Sequence, residues 1–250
     1  MLYLANPSTG AIRDRIADLS VAAIMTPRQG NELPGAGFYA ADNGCGPGKH
    51  GTGAGFPGND AYLRWLMKLD DAEGGDRYDP DTWRCLFAVA PDVVGDAAAT
   101  LARSERFLPL IREYTRFPAA LVAQNGQEHL PVPWDDFDVL FLGGSAECTR
   151  CRYVRPVTDF AQKRCPSCRR PLVEWKLGAA ARDLTAQASA RGKWVHMGRV
   201  NSLKRLRYAE MIGCDSVDGT YLTFAPDENL PRLLGWLRDL DTQIPLWDAA

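Results

Sequence analysis

Two pairs of cysteines, and a set of lone polar residues that each close a short apolar run, are the parts of this chain that could do chemistry. Cys148-x-x-Cys151 and Cys165-x-x-Cys168 are separated by thirteen residues, so two tight turns can each present two thiolates to one tetrahedral ion. Four sulfurs leave no position open for water. The expected occupant is therefore a structural zinc, with an iron site or redox thiols as the alternatives. The polar residues are Asp42 after FYAA, Asp92 in FAVAPD, Gln124 after LVA, Gly143 and Gly144 after LFL, and Asp218 in SVD. Taken singly, an Asp at such a place is more often a helix cap than a catalyst. Taken together, two carboxylates in one cleft can divide labour, one ionised as nucleophile and the other raised in pKa as acid or base. That is the logic of retaining glycosyl transfer. Asp218 and Asp42 suit those two roles. Asp92, the Gln124 amide and the backbone N–H groups of Gly143 and Gly144 form a donor and acceptor set suited to a purine edge.

For these residues to meet, successive strands must deliver them to one place. The apolar runs read as eight strands, at Leu2–Ala5, Ala22–Met25, Phe38–Ala41, Leu86–Ala90, Ala120–Ala123, Val139–Leu142, Trp194–Met197 and Ser216–Asp218. Helical periodicity fills most of the intervals, at Ala11–Ala17, Asp60–Leu69, Asp96–Tyr114, Leu177–Ala190, Ser202–Ile212 and Leu230–Leu240. This alternation predicts an α/β protein with a parallel sheet. Eight strands in 250 residues predict a closed (β/α)8 TIM barrel, an open doubly wound sheet being the second choice. In a barrel the C-terminal strand tips share one mouth. The expected organisation is a single barrel over residues 1–250, interrupted at 146–174 by a zinc-ribbon-like insert that leaves from the mouth. The glycine-rich stretch Asn43–Gly58 follows a strand tip, where barrel enzymes keep substrate loops.

Composition narrows the setting. A hydrophobic fraction of 46% can build a full core, and no apolar run approaches the roughly 20 residues of a bilayer span. The N-terminus lacks the pattern of a signal peptide, so a cytoplasmic protein is expected, in which seven cysteines argue against a disulfide framework. A net charge of −2 does not announce a nucleic-acid binder. The local distribution says more. Between Cys148 and Pro171 the bases Arg150, Arg152, Arg155, Lys163, Arg164, Arg169 and Arg170 face only Asp159, and Arg199 follows among further basic residues. Arg150, Arg152, Arg155, Arg169, Arg170 and Arg199 are the expected contacts to a polyanion. The plainer reading is a zinc staple whose arginines solvate it. His50, His129 and His196 read as packing or surface residues, since the cysteines already close a metal site.

In order and spacing these residues resemble the tRNA-guanine transglycosylases and their relatives that place 7-deazaguanines in DNA, the DpdA group. Asp42-Asn43-Gly44 resembles the family's Asp-Ser-Gly-Gly loop, Asp92 its base-reading acid, Gln124 its glutamine, and Leu142-Gly143-Gly144 its double glycine. His196-Met197-Gly198 resembles its Leu-Met-Gly strand, whose methionine packs on the base. Gly213 to Asp218 resembles its Gly-Val-Asp-x-Phe-Asp, whose last Asp is the nucleophile. The likeness runs from about Phe38 to Leu222. It departs where the tRNA enzymes carry a three-cysteine, one-histidine zinc site after the nucleophile, with a C-terminal extension that grips the tRNA. Here the cysteines lie between the double glycine and the next helix, about thirty residues follow Asp218, and Gly46 stands where an aromatic lid is often found. These departures favour the compact DNA-modifying branch, found in bacterial cells and phage-infected hosts.

The resemblance implies guanine exchange for a free 7-deazaguanine such as preQ0, with Asp218 as nucleophile and Asp42 as proton shuttle. Asp92, Gln124, Gly143 and Gly144 would read the base and Met197 would pack on its face. A structural zinc, DNA as polymer substrate, and a homodimer or partner proteins of a modification system complete the expectation. The rivals are the same exchange on tRNA, a non-catalytic zinc-containing barrel that binds nucleic acid, and a barrel hydrolase that releases a base or sugar.

Overall fold

A strand buried on both faces reads as an unbroken run of small and branched apolar residues, and eight such runs pair in parallel here. The computed structural model describes residues 1–6, 21–28, 37–45, 55–74, 83–156, 158–159 and 161–241. Its strands are β1 (Leu2–Ala5), β2 (Val21–Met25), β3 (Tyr39–Ala41), β4 (Cys85–Val89), β5 (Ala119–Ala123), β6 (Val139–Leu142), β7 (Ala146–Glu147), β8 (Val173–Glu174), β9 (Trp194–Met197) and β10 (Ser216–Gly219). All except β7 and β8 form one closed parallel barrel, running from β1 through β6 to β9 and β10 and back to β1. The closing register sets Leu4 beside Asp218 and Ala5 beside Gly219. Each barrel strand lies within one residue of its expected bounds. The expected helix Ala11–Ala17, and residues 46–54 of the glycine-rich stretch with Gly46 and His50, lie outside the described residues.

The helices are α1 (Asn59–Glu73), α2 (Ala97–Ser104), α3 (Leu108–Tyr114), α4 (Ala179–Ser189), α5 (Leu203–Met211) and α6 (Pro226–Asp241). The single helix expected over Asp96–Tyr114 is therefore two. Asp96 caps α2 by accepting from the Ala99 N–H at 3.0 Å, and Pro109 sits in the first turn of α3, the one place where a missing N–H costs a helix little. Ser202 caps α5, its side chain accepting from the Arg205 N–H. Among the described residues no helix is long and apolar enough to cross a membrane.

Side chains alternate along each strand, and this parity builds two cores. Leu4, Ala22, Ile24, Ala40, Phe87, Val89, Ala120, Val122 and Val139 fill the barrel interior with Phe141. Tyr3, Met25, Ala41, Leu121, Leu140, Val195, Met197 and Val217 belong to the layer shared with Leu66, Ile111, Leu184, Leu206 and Leu233 of the helices. Tyr62 of α1 reaches through this layer, its hydroxyl donating to the carbonyls of Ala41 at 3.2 Å and Val89 at 2.9 Å. That pair of bonds pins the tips of β3 and β4 beside each other.

Candidate active site and four-cysteine centre

Continuing the inward parity past the strand tips predicts what the mouth contains. Position 42 follows Ala40, 124 follows Val122, 143 follows Phe141, 198 follows His196, and 218 follows Ser216. A cavity of about 100 Å³ opens there, several times the ~10–15 Å³ one water requires. Ile24, Val89, Val94, Val122 and Phe141 are its apolar lining. Asp42, Asn43, Asp92, Gln124, Gly143, Gly144, Lys176, Gly198, Arg199 and Asp218 supply its polar lining.

Asp92 is held by its neighbours. Its Oδ1 accepts from Asn43 Nδ2 at 2.9 Å and its Oδ2 from Gln124 Nε2 at 2.6 Å, while Asn43 Nδ2 also reaches the Ala90 carbonyl at 2.8 Å. Burial pushes the Asp92 carboxyl upward, opposed by the hydrogen bond from Asn43, the charge of Arg199 and the hydrogen bond from Gln124. Two hydrogen bonds leave acceptor capacity on a carboxylate with about four lone-pair sites. The other end of Gln124 is fixed as well: Oε1 accepts from the N–H of Gly95 and of Gly144, both at 2.8 Å.

The glycine pair is required by space. A Cβ on Gly143 would stand 2.8 Å from Val122 and 2.9 Å from Gln124 Nε2, and Gly144 has φ +88 with the Trp175 ring 3.0 Å from where its Cβ would be. The Gly144 N–H, expected to read a base, is thus already committed to orienting Gln124.

Asp42 and Asp218 flank the same cavity. Burial, then the negative charges of Asp218 and Asp92, push the Asp42 carboxyl up to about 7, with the backbone N–H groups of Gly44 and Asn43 pulling it down. Asp218 Oδ1 lies 3.2 Å from both His196 Nε2 and the backbone N of Arg199. Arg199 holds a left-handed φ of 59, a conformation uncommon for a side chain of this kind, and so turns its N–H onto the carboxylate. Lys176 is buried, donates to the Gly198 carbonyl at 2.5 Å and lies 3.5 Å from Glu174 Oε2. Burial pushes its ammonium down to about 8 against the opposing charge of Glu174. Glu174 also accepts from Arg205. The site is thus three carboxylates, one nearly buried amine and an apolar floor: an arrangement able to keep one acid ionised and another protonated at neutral pH.

Some expected placements need correction. Met197 is fully buried and outward-facing, packed in the strand–helix layer, because its odd position turns it away from the cavity. Arg199 lines the cavity, and Arg155 is half-buried with its carbonyl accepting from Ser145 Oγ at 2.9 Å. Arg150, Arg152, Arg169 and Arg170 are exposed on the insert. His196 and Lys176 were missing from the expected site. Parity with Ser216 and Asp218 points to the first; the second lies within the short helical turn Trp175–Leu177 after the insert and carries no periodic signal.

The insert leaves β6 just past the double glycine. Its neck is the antiparallel pair β7–β8, with Ala146 opposite Glu174 and Glu147 opposite Val173. Beyond it the two CxxC turns repeat one geometry. The Arg152 N–H returns to the Cys148 carbonyl and the Arg169 N–H to the Cys165 carbonyl, both at 3.0 Å, with φ of 56 and 61. The Cys148 and Cys165 N–H groups bond the carbonyls of Tyr153 and Arg170, both at 2.8 Å. All four sulfurs lie within 4.8 Å of one another. A tetrahedral ion with ~2.3 Å metal–sulfur bonds needs sulfurs about 3.8 Å apart, so the cluster fits a metal ion. The Cys151 N–H holds the Cys148 thiol down to about 6, while sharing a proton with Cys168 pushes Cys151 up to about 12.

The four-cysteine cluster is tied to the cavity. Asn125 Nδ2 donates to Glu147 Oε2 at 2.8 Å, and its Oδ1 accepts from the Ser145 N–H at 2.7 Å. Glu147 precedes Cys148, the first of the four cysteines, and Asn125 follows Gln124. Elemental analysis of purified protein is expected to find one metal ion per chain. Cys165→Ser, at a fully buried position, should lose the ion and lower the melting temperature by several degrees. An ion-free protein that melts at the same temperature would rule out a structural metal.

Fold and site together define an eight-stranded parallel β/α barrel with an acidic pocket at its C-terminal mouth and a four-cysteine insert beside it. No family model and no curated protein matches the chain. Among solved structures, a chain in the crystal structure of the Amycolatopsis orientalis BexX/CysO complex is similar, with 13% identity over 97% of this chain and 92% of that one and a TM-score of 0.50. At that identity the likeness shows the barrel fold alone.

Proposed function

We propose that this protein is a base-exchange transglycosylase that replaces guanine in DNA with a free 7-deazaguanine through a covalent Asp218–glycosyl intermediate. The observation that carries the reading is the pairing of Asp218 with an Asp42 carboxyl pushed up to about 7 across one cavity, beside the acceptor Asp92. One acid is then available as nucleophile and the other as proton donor. Asp218 attacks C1′, the C1′–N9 bond breaks, and the electron pair leaves with the purine, which takes the proton of Asp42 and departs as neutral guanine. The incoming base gives its N9 proton to the Asp42 carboxylate as N9 bonds C1′ and Asp218 is released. Both acids return to their starting forms, and two displacements retain configuration.

Asp92 and the second N–H of Gln124 suit the donor edge and the carbonyl of guanine, and the apolar floor of Ile24, Val122 and Phe141 suits its face. A duplex must first release its nucleotide from the stack. Arg150, Arg152, Arg169 and Arg170, exposed on the insert, are suited to hold the backbone there. A structural zinc at Cys148, Cys151, Cys165 and Cys168 would shape that surface without taking part in the reaction.

The test is incorporation of labelled preQ0 or guanine offered with duplex DNA and with tRNA, read by mass analysis of the digested nucleosides. Label in deoxynucleosides is the expected result. Label confined to tRNA would move the same chemistry to the other polymer, and label in neither would sink the assignment.

A further inference from the structure

The inward face of β9 and β10 carries four polar side chains in a barrel core that is otherwise apolar. Trp194 Nε1 donates to Ser216 Oγ at 2.7 Å, Ser216 Oγ lies 2.8 Å from His196 Nδ1, and His196 Nε2 lies 3.2 Å from Asp218 Oδ1. His196 and Ser216 have no solvent exposure. The chain of contacts runs from the start of β9 to the mouth. A histidine that merely packed would be expected to satisfy itself on backbone groups; both nitrogens here are tied to side chains, one of them the site carboxylate.

Donor and acceptor chemistry gives this chain a direction. An indole nitrogen can only donate. Among the described residues Ser216 Oγ has two hydrogen-bonding neighbours, Trp194 Nε1 and His196 Nδ1, so the one acceptor for its own proton is Nδ1. A buried hydroxyl proton left without an acceptor carries the full desolvation penalty of an unmade hydrogen bond. Nδ1 must then be bare and Nε2 must carry the hydrogen, pointing it at Asp218. The ring is clamped in that orientation, its centre 4.5 Å from that of Phe141 and 5.1 Å from that of Phe87. Asp218 Oδ1 receives this N–H and that of Arg199, while no hydrogen bond reaches Oδ2 among the described residues.

We infer that His196 is a positioning residue that, as its neutral Nε2–H tautomer, holds Asp218 by Oδ1 and leaves Oδ2 as the oxygen that attacks. The inference rests on the nucleophile reading above only for its consequence; the tautomer belongs to the resting protein. A neutral donor steadies an anion without neutralising it. Two bonds on one oxygen also stop the carboxylate from rotating, so the free oxygen keeps its line to the cavity.

The experiment has a spectroscopic arm and a kinetic arm, both on the full chain. With three histidines in the chain, long-range 1H–15N correlation of the imidazole rings can be assigned by the signal that His196→Gln removes. The expected pattern at neutral pH is a protonated Nε2 and a bare Nδ1, with the Nδ1 shift moved by Ser216→Ala. A protonated Nδ1, in the other tautomer or in an imidazolium, overturns the inference. In the kinetic arm, His196→Gln keeps an N–H within reach of Asp218 and His196→Leu does not. Adduct formation in single turnover is expected to fall about ten- to hundredfold in the leucine variant at unchanged KM, and distinctly less in the glutamine variant. Equal rates in wild type and leucine variant overturn the inference. If the wild-type protein forms no adduct while the spectrum shows protonated Nε2, the nucleophile reading fails and the tautomer stands. Should His196→Leu not fold, the spectrum of the wild type still decides.

Discussion

Asp218→Asn is expected to lower base exchange by at least about a thousandfold and to abolish the covalent adduct, because an amide oxygen cannot displace a purine from C1′. The substitution is nearly isosteric. Its oxygen can still accept from His196 and from the Arg199 N–H, which hold Oδ1 in the native site at 3.2 Å, so the fold should be untouched and the melting temperature close to that of the wild type. Loss of rate with an intact fold separates a reacting group from a structural one. The charge removed should also be felt by its neighbours. Asp218 raises the Asp42 carboxyl and supports the Lys176 ammonium, so in the variant both groups should titrate lower than in the native protein. Denaturing mass analysis after mixing with oligonucleotide checks the adduct, and carboxyl 13C shifts check Asp42. An Asp218→Asn protein that still forms an adduct or exchanges base at the native rate would remove Asp218 from the chemistry.

The barrel was legible because its strands are buried on both faces, and such strands appear in sequence as short apolar runs bounded by polar tips. Closure into a ring followed from their number. The tips marked Asp42, Gln124, Gly143 and Asp218, all of which line the cavity. Met197 was misplaced because a motif match ignores alternation: Gly198 and Asp218 face inward, so Met197 between His196 and Gly198 must face the helices. The same rule would have brought His196 into the site. The break between α2 and α3 was hidden by apolar spacing that runs on across Glu105–Phe107, although Pro109 announced a new first turn. Lys176 could not be read at all, and Arg199 was expected on a polyanion rather than in the cavity. Both lie off the strands, and their positions are set by tertiary bonds to the Gly198 carbonyl and by a left-handed backbone. That Gly144 orients Gln124 is likewise a fact of geometry, invisible in a pair of letters.

Asp42→Asn should separate the pH dependence of activity from that of stability, and with opposite signs. The reaction starts from protonated Asp42, whose carboxyl sits at about 7, so exchange is expected to fall about tenfold per pH unit above neutrality. The asparagine variant has no proton to give. It should lose about a hundred- to ten-thousandfold in rate and, with that, the alkaline limb of the profile. Stability moves the other way. Asp42 is harder to ionise in the folded chain than in the unfolded one, where a carboxyl titrates near its ordinary 3.8. Its contribution is fully present below about pH 4 and is lost as pH rises to about 7, since the folded state must then carry a buried charge beside Asp218 and Asp92. At ~1.4 kcal/mol for each tenfold change in acidity, the loss could reach about 4 kcal/mol above neutrality. Asparagine never ionises. The variant should therefore melt near the wild type at pH 4 and increasingly above it up to about pH 8, while its activity stays low throughout. Thermal unfolding across that range, run beside the exchange assay, reads both signs. A melting difference independent of pH would mean that Asp42 ionises freely in the fold and is no proton donor at neutral pH.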